Sequence, residues 1–170
     1  MNTMEPTDAT LAPFFDDEAA IALAVAETGL PEPRVRAVVE ATYWYHACAG
    51  VAGIAGGHSE AKIAGYLARF PDMFEDHDEP MPTLSYAEEA RFISETTDIF
   101  EDETTRVLAS IRAYEASIGI IDPSAVEEYR AWRVEWLTRV ARPRLVKIDG
   151  KFVVYSFAEA LRREREQATR

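Results

Sequence analysis

The chain reads as mainly α: two similar three-helix units, then a β-hairpin and a short terminal helix. Three observations carry that expectation. At a fixed offset of 69 residues, Thr28, Glu32, Val38, Tyr45, Ala47 and Gly50 meet Thr97, Glu101, Val107, Tyr114, Ala116 and Gly119. Leu30, Val39 and Val51 meet Ile99, Leu108 and Ile120 at the same offset. The windows 27–51 and 96–120 thus share one pattern of short helix, tight turn, longer helix and glycine stop, the mark of a repeated supersecondary unit. Helix-capping residues stand where apolar helical periodicity begins. Near the C-terminus, Asp149-Gly150 separates two alternating segments, a strong two-residue hairpin signal.

Residues 1–13 are polar, contain two prolines and are expected to be a flexible N-terminus. Asp16 can cap a first helix whose opening turn holds Asp17 and Glu18, where the helix dipole favours negative charge. Ile21, Ala24, Val25 and Thr28 give it a core-facing side. Gly29 supplies a left-handed stop, Pro31 prevents continuation, and Pro33 fits the first turn of the next helix. That helix runs to about Ala49 and is apolar on two sides, through Val35, Val38, Val39 and Thr42 and through Ala37, Ala41, Trp44 and Cys48. A helix apolar over most of its circumference belongs at the centre of a bundle. Glycines 50, 53, 56 and 57 break it, and a third helix runs from about Ser59 to Phe70, completing a first unit over 14–70.

Residues 71–84 form an acidic, proline-containing linker. The second unit spans 85–141. Ser85, with Glu88 three residues on, forms a capping box for a helix through about Thr96. The next helix begins near Glu101 and passes Val107, Leu108, Ile111 and Tyr114 to the glycine at 119. Asp122-Pro123-Ser124 opens another, with Tyr129, Trp132, Trp136, Leu137 and Val140 along one side, read as core, and Pro143 ends it. Residues 142–170 supply the basic hairpin, Arg144 to Ile148 and Lys151 to Tyr155, and a short helix beginning with the capping box Ser156 and Glu159.

Bulk composition narrows the class. A 170-residue chain that is 48% hydrophobic and 28% charged is globular and long enough for a real core. The opening residues lack the basic and apolar regions of a secretory signal, and Cys48 is the sole cysteine, so the cytoplasm is the expected location. Residues 41–59 carry no Asp, Glu, Lys or Arg. With His46, four glycines and the aromatics crowded at one end, their hydrophobic drive is weak for a bilayer, and no membrane association is expected. Charge is divided unevenly. Residues 1–128 hold 25 acids against 7 bases, −18, and residues 129–170 hold 11 bases against 5 acids, +6, giving the net −12. An acidic body of this kind repels nucleic acid and anionic lipid.

The stretch Ala24-Val25-Ala26-Glu27-Thr28-Gly29-Leu30-Pro31, followed by Val35 and Val38, resembles the helix-turn-helix signature of many bacterial regulators. That motif places a small residue four before the turn glycine and apolar residues six and nine after it; Val25 departs from it at the small position. The second copy, Ile93-Ser94 through Asp98-Ile99 to Thr104 and Val107, has a suitable Ser94 but Asp98 at the turn. The resemblance implies two helix-turn-helix-like trihelical units and points to no particular family. A recognition helix offers its first residues to base edges between phosphate rows. In the second copy these are Glu101, Asp102 and Glu103, which phosphate repulsion disfavours. The first copy offers Glu32, Arg34 and Arg36, which are compatible with DNA. The C-terminal hairpin, bearing Arg144, Lys147 and Lys151 after a helix with Arg130, Arg133 and Arg139, resembles the basic wing of winged-helix proteins.

Other chemistry finds little support. His46 and Cys48, two apart on one helix, point in different directions, and no zinc spacing is present. The glycine run from Gly50 follows a helix and lacks a Lys-Ser/Thr ending, so it fails as a phosphate loop. Asp72, Glu75, Asp76, Asp78 and Glu79 lack the turn glycine of a calcium loop and read as a solvated surface. No nucleophile elbow or paired catalytic carboxylates stand out. The expectation is therefore a non-enzymatic acidic regulator or adaptor, without metal or cofactor, that binds another macromolecule, chiefly a protein. Its acidic surface would comprise Asp72, Glu75, Asp76, Asp78, Glu79, Glu101, Asp102 and Glu103. A sharper form has that surface imitate nucleic acid and block a protein that handles DNA or RNA. The alternative is a helix-turn-helix transcriptional regulator contacting DNA through Arg34, Arg36, Arg144, Lys147 and Lys151.

Overall fold

A computed structural model describes residues 15–50, 60–74 and 84–169. The elements are helices α1 (Asp17–Thr28), α2 (Glu32–Cys48), α3 (Glu60–Arg69), α4 (Tyr86–Thr97), α5 (Glu101–Ser117) and α6 (Pro123–Val140), strands β1 (Arg144–Ile148) and β2 (Lys151–Tyr155), and helix α7 (Phe157–Ala168). The chain is mainly helical, with a C-terminal two-stranded antiparallel hairpin and a short final helix, as its periodicity led us to expect. The first 14 residues, most of the glycine run and residues 75–83 lie outside the described residues.

Local chemistry sets the helix ends. The Asp16 carboxylate accepts from the backbone N–H groups of Glu18 and Ala19, and Ser85 Oγ accepts from that of Glu88. Asp122 and Ser156 cap α6 and α7 in the same way. These bonds satisfy donors that a helix start otherwise leaves unpaired. The hairpin turns through Asp149 and Gly150, both at positive φ (50° and 78°), the backbone that a tight two-residue connection requires.

The 69-residue offset is a structural relationship as well. Helices α1 and α4 each have 12 residues, α2 and α5 each have 17, and each pair begins 69 residues apart. Their turns use the same bonds. Thr28 Oγ1 donates to the Ala24 carbonyl at 2.6 Å and accepts from Leu30 N at 3.2 Å. Thr97 Oγ1 donates to the Ile93 carbonyl at 2.6 Å and accepts from Ile99 N at 3.3 Å. Gly29 and Asp98 take the left-handed position in each turn, at φ 70° and 56°.

The two helix pairs do not stand side by side as separate bodies. Helix α1 packs more extensively on α5 than on α2, and α2 more extensively on α4 than on α1. Equivalent contacts therefore recur in exchanged form. Tyr114 Oη accepts from the backbone of the α1 cap Asp16 at 3.2 Å, while its counterpart Tyr45 is hydrogen-bonded to the backbone of the α4 cap Ser85. Val35 and Val38 of one pair and Val107 and Leu108 of the other enter one core, together with Phe92, Ile93 and Tyr129. Phe70 and Met73, following α3, close that core beside Tyr45 and Phe92. Burying such side chains stabilises the fold by roughly 2 kcal/mol each.

Helix α6 lies on α5, and α7 on α6. The stripe expected to be core along α6 divides. Tyr129 and Leu137 are fully buried, but Trp132 and Trp136 are half-buried, stacked on each other at 5.1 Å, and Val140 is exposed. Val126, Tyr129 and Leu137 are the buried residues of α6, and Trp132 packs against the core from its edge, beside Tyr86.

Candidate functional site

The residues expected to form an acidic surface part company in the structure. Asp72 is exposed on the turn after α3; Glu75, Asp76, Asp78 and Glu79 lie outside the described residues. Glu101, Asp102 and Glu103 make the first turn of α5, where successive side chains point about 100° apart. Asp102 is buried, 3% exposed, and its two carboxylate oxygens accept from Arg144 Nη1 and Nη2 at 2.8 and 3.4 Å. Glu103 accepts from Arg34 at 2.9 Å. Glu101 lines a solvent-open groove, whose wall also includes the paired Asp102. Asp102 therefore does not belong to an acidic skin: it holds the hairpin to the body.

The basic candidates divide as well. Arg34 is taken up by Glu103, and Arg36 by Glu18 and Glu32, at 2.6 and 2.7 Å. Arg144 carries its charge into the buried pair with Asp102, its guanidinium lying 3.7 Å over the Phe100 ring and 4.6 Å over Tyr155. Lys147 and Lys151 stand exposed at the hairpin tip.

Glu101, Asp102 and Arg144 come together at one place, a groove of about 710 Å³ between α4, the α4–α5 turn and the end of α6. Phe100, Trp136, Val140 and Pro143 supply its apolar floor and wall. Arg91 and Arg142 on one hand, and Glu88, Glu95 and Glu101 on the other, edge it with both signs of charge. The Asp102–Arg144 pair, extended by Arg133 Nη2 donating to the Asp102 carbonyl at 2.8 Å, fixes one end. Paired ions held by several hydrogen bonds make a rigid corner. The groove is open to solvent rather than an enclosed cavity.

Behind it lies a buried polar cluster. Glu89, 4% exposed, meets Arg112 and His46, each at 3.3 Å. Burial alone would raise the Glu89 carboxyl pKa; the hydrogen bond from His46 and the charge of Arg112 outweigh it and hold the group below the ordinary carboxylate range. The Arg112 guanidinium lies 4.0 Å over the Tyr129 ring, whose buried hydroxyl has no hydrogen-bond partner among the described residues. This cluster joins α2, α4 and α5 and contains no activated nucleophile. Sequence reading passed over it, though the repeat held the signal. Glu89 corresponds to Ala20, which is completely buried in the first helix, so an acid stands on a core position. The groove had no such signal, because Phe100, Trp136 and Pro143 come from elements whose contact no periodicity encodes.

Among the described residues, no group of His, Cys, Asp and Glu is arranged to hold a metal ion. None of the described helices is long and apolar enough to cross a membrane. No family model matches the chain, and comparison with curated proteins and with solved structures likewise gives no match.

Proposed function

We propose that this protein is an acidic adaptor or regulator that binds a protein partner, seating an extended segment of it in the groove between α4, the α4–α5 turn and α6. The observation that carries the proposal is the half-exposed Trp136 beside Phe100 and Val140 in an open channel with charges of both signs along its edges. An aromatic anchor within a polar rim is the pattern of a protein-binding hot spot. A segment with one large apolar side chain flanked by charged residues fits that lining. Because the rim is charged, raising salt weakens the complex.

Direct DNA reading draws less support. Arg34 and Arg36, the first-copy residues best suited to it, are engaged by Glu103, Glu18 and Glu32. Freeing them costs those ion pairs before any phosphate is met. The same internal pairing of Asp102 and Glu103 reduces the charge that nucleic-acid mimicry would use.

A photo-crosslinking side chain at Val140, compared with one at the exposed Glu128 of the same helix, tests the proposal in cells of the native host. A protein adduct formed from position 140, absent from position 128 and lost on Trp136→Ala, is the expected result. Adducts equal at both positions, or none at either, would remove the groove as a partner site. Retention on heparin at low salt that Lys147→Glu and Lys151→Glu abolish would favour the nucleic-acid alternative instead.

A further inference from the structure

Among the described residues, five arginines are partly buried: Arg34, Arg106, Arg112, Arg133 and Arg144. Three of them meet a carboxylate, Arg34 at Glu103, Arg112 at Glu89 and Arg144 at Asp102. Arg106 and Arg133 do not, in a chain with 30 acids against 18 bases, and they are neighbours. Arg133 finds only neutral oxygens: Nε donates to Thr105 Oγ1 and Nη2 to the Asp102 carbonyl, both at 2.8 Å. The Asp102 carboxylate has both oxygens taken by Arg144. The Arg106 guanidinium makes neither ion pair nor hydrogen bond among the described residues, and its charge acts on Arg133. Burial first, and then Arg106, pulls the Arg133 guanidinium below the ordinary arginine range.

Both arginines line a cleft of about 310 Å³ between the end of α1, α5 and α6. Arg130, one turn before Arg133 on α6, joins them there. It is exposed and pairs with Glu127 at 2.7 Å. Glu27 is the one acid of the lining, and its Oε2 accepts from Ser110 Oγ at 2.6 Å. We propose that this cleft binds a small phosphomonoester, whose dianion supplies the counter-charge that Arg106 and Arg133 lack.

Charge, shape and size favour that ligand. Three arginines and one acid give the lining a charge of +2. A phosphomonoester carries about −2 near neutral pH, and its oxygens match the forked donors of guanidinium groups. The volume stands at the lower end of small-molecule sites, and Ala109 and Val134 offer a little apolar surface to the ester carbon. A nucleic-acid strand fits less well, because each of its diesters has a single charge and the neighbouring phosphates would meet the exposed Glu27 and Glu127. The cleft shares no lining residue with the groove, so its occupancy is independent of what the groove binds.

Calorimetric titration of the full chain with phenyl phosphate, at neutral pH in buffer without phosphate or sulfate, tests this directly. The wild type should show one saturable site with a dissociation constant of about 1 mM or below. Arg106→Gln, which removes a guanidinium that holds nothing in the fold, should melt like the wild type and bind about tenfold more weakly or worse. Glu27→Gln keeps an acceptor for Ser110 and removes a repelling charge, so it should bind about threefold more tightly. Phenyl sulfate, of the same shape with one charge fewer, should bind about tenfold more weakly than the phosphate. Lys151→Gln, at the distant hairpin tip, should leave the affinity unchanged. No saturable binding up to about 10 mM overturns the proposal. So does an Arg106→Gln protein that binds as the wild type does, or a Glu27→Gln protein that binds less tightly. A DNA oligonucleotide bound more tightly than phenyl phosphate, and lost on Arg106→Gln, would overturn it in favour of nucleic acid.

Discussion

Arg34 and Glu103, joined at 2.9 Å, are the same position in the two halves of this molecule, 69 residues apart. The two equivalent positions touch because the starts of α2 and α5 lie together. Identical charges there would repel; the two copies instead carry opposite ones. Glu103 is largely covered and Arg34 is 41% exposed, so the pair is worth about 1 kcal/mol or less. Arg34→Glu and Glu103→Arg should each destabilise the fold at low salt, and the double exchange should recover most of the loss. Urea unfolding of the four proteins gives the coupling directly, expected at about 0.5–1 kcal/mol. Strictly additive losses would show that the contact contributes nothing.

The two turns differ by one residue type at the left-handed position, Gly29 against Asp98. A Cβ built on Gly29 meets nothing within 4 Å, so substitution there is a test of backbone conformation alone. Gly29→Val should cost about 1–2 kcal/mol, because a branched side chain opposes positive φ. Gly29→Asp should cost distinctly less, since the other copy accommodates that residue. Equal melting temperatures for the two variants would contradict this.

Leu137 and Trp136 are neighbours on α6 with different exposure. Leu137→Ala removes a fully buried side chain and should cost roughly 2–5 kcal/mol. Trp136→Ala removes a half-buried ring from the groove wall and its stacking on Trp132, and should cost about 1–2 kcal/mol. Partner binding should show the reverse order, with Trp136→Ala the more damaging. Chemical unfolding and capture of the crosslinked partner measure the two orders separately.

Glu89 should make stability depend on acid. Its carboxyl is held below the ordinary range in the folded protein and returns to it on unfolding. The unfolded chain therefore takes up the proton first as pH falls. The stabilisation is complete above the ordinary carboxylate value and is lost as pH drops through the folded one. Glu89→Gln should cost about 3 kcal/mol at neutral pH, because Arg112 is left without its buried partner. The difference from wild type should shrink as the solution is acidified, and a pH-independent difference in unfolding free energy would rule out the linkage.

Much of the fold was legible because its signals are local. A cap such as Asp16 or Ser85, a stop such as Gly29 and a turn such as Asp149-Gly150 act within a few residues of themselves. The repeat added a longer-range signal, and equal helix lengths with equal turn bonds show why Thr28 and Thr97 coincide. The candidate site was far less legible. Three consecutive acids at 101–103 invited a single charged surface, yet helical rotation sends Glu101 to the groove, Asp102 to Arg144 and Glu103 to Arg34.

The order of helices and strands, their caps and the duplicated pattern were determined by the amino-acid sequence alone, since each rests on backbone preferences that neighbouring residues set. Tertiary structure alone decided that α1 lies on α5 and α2 on α4, that Asp102 is buried while Phe152 is not, and that Trp136 lines an opening. Those outcomes depend on which faces meet across the chain, and no local periodicity specifies the partner that an apolar face will find.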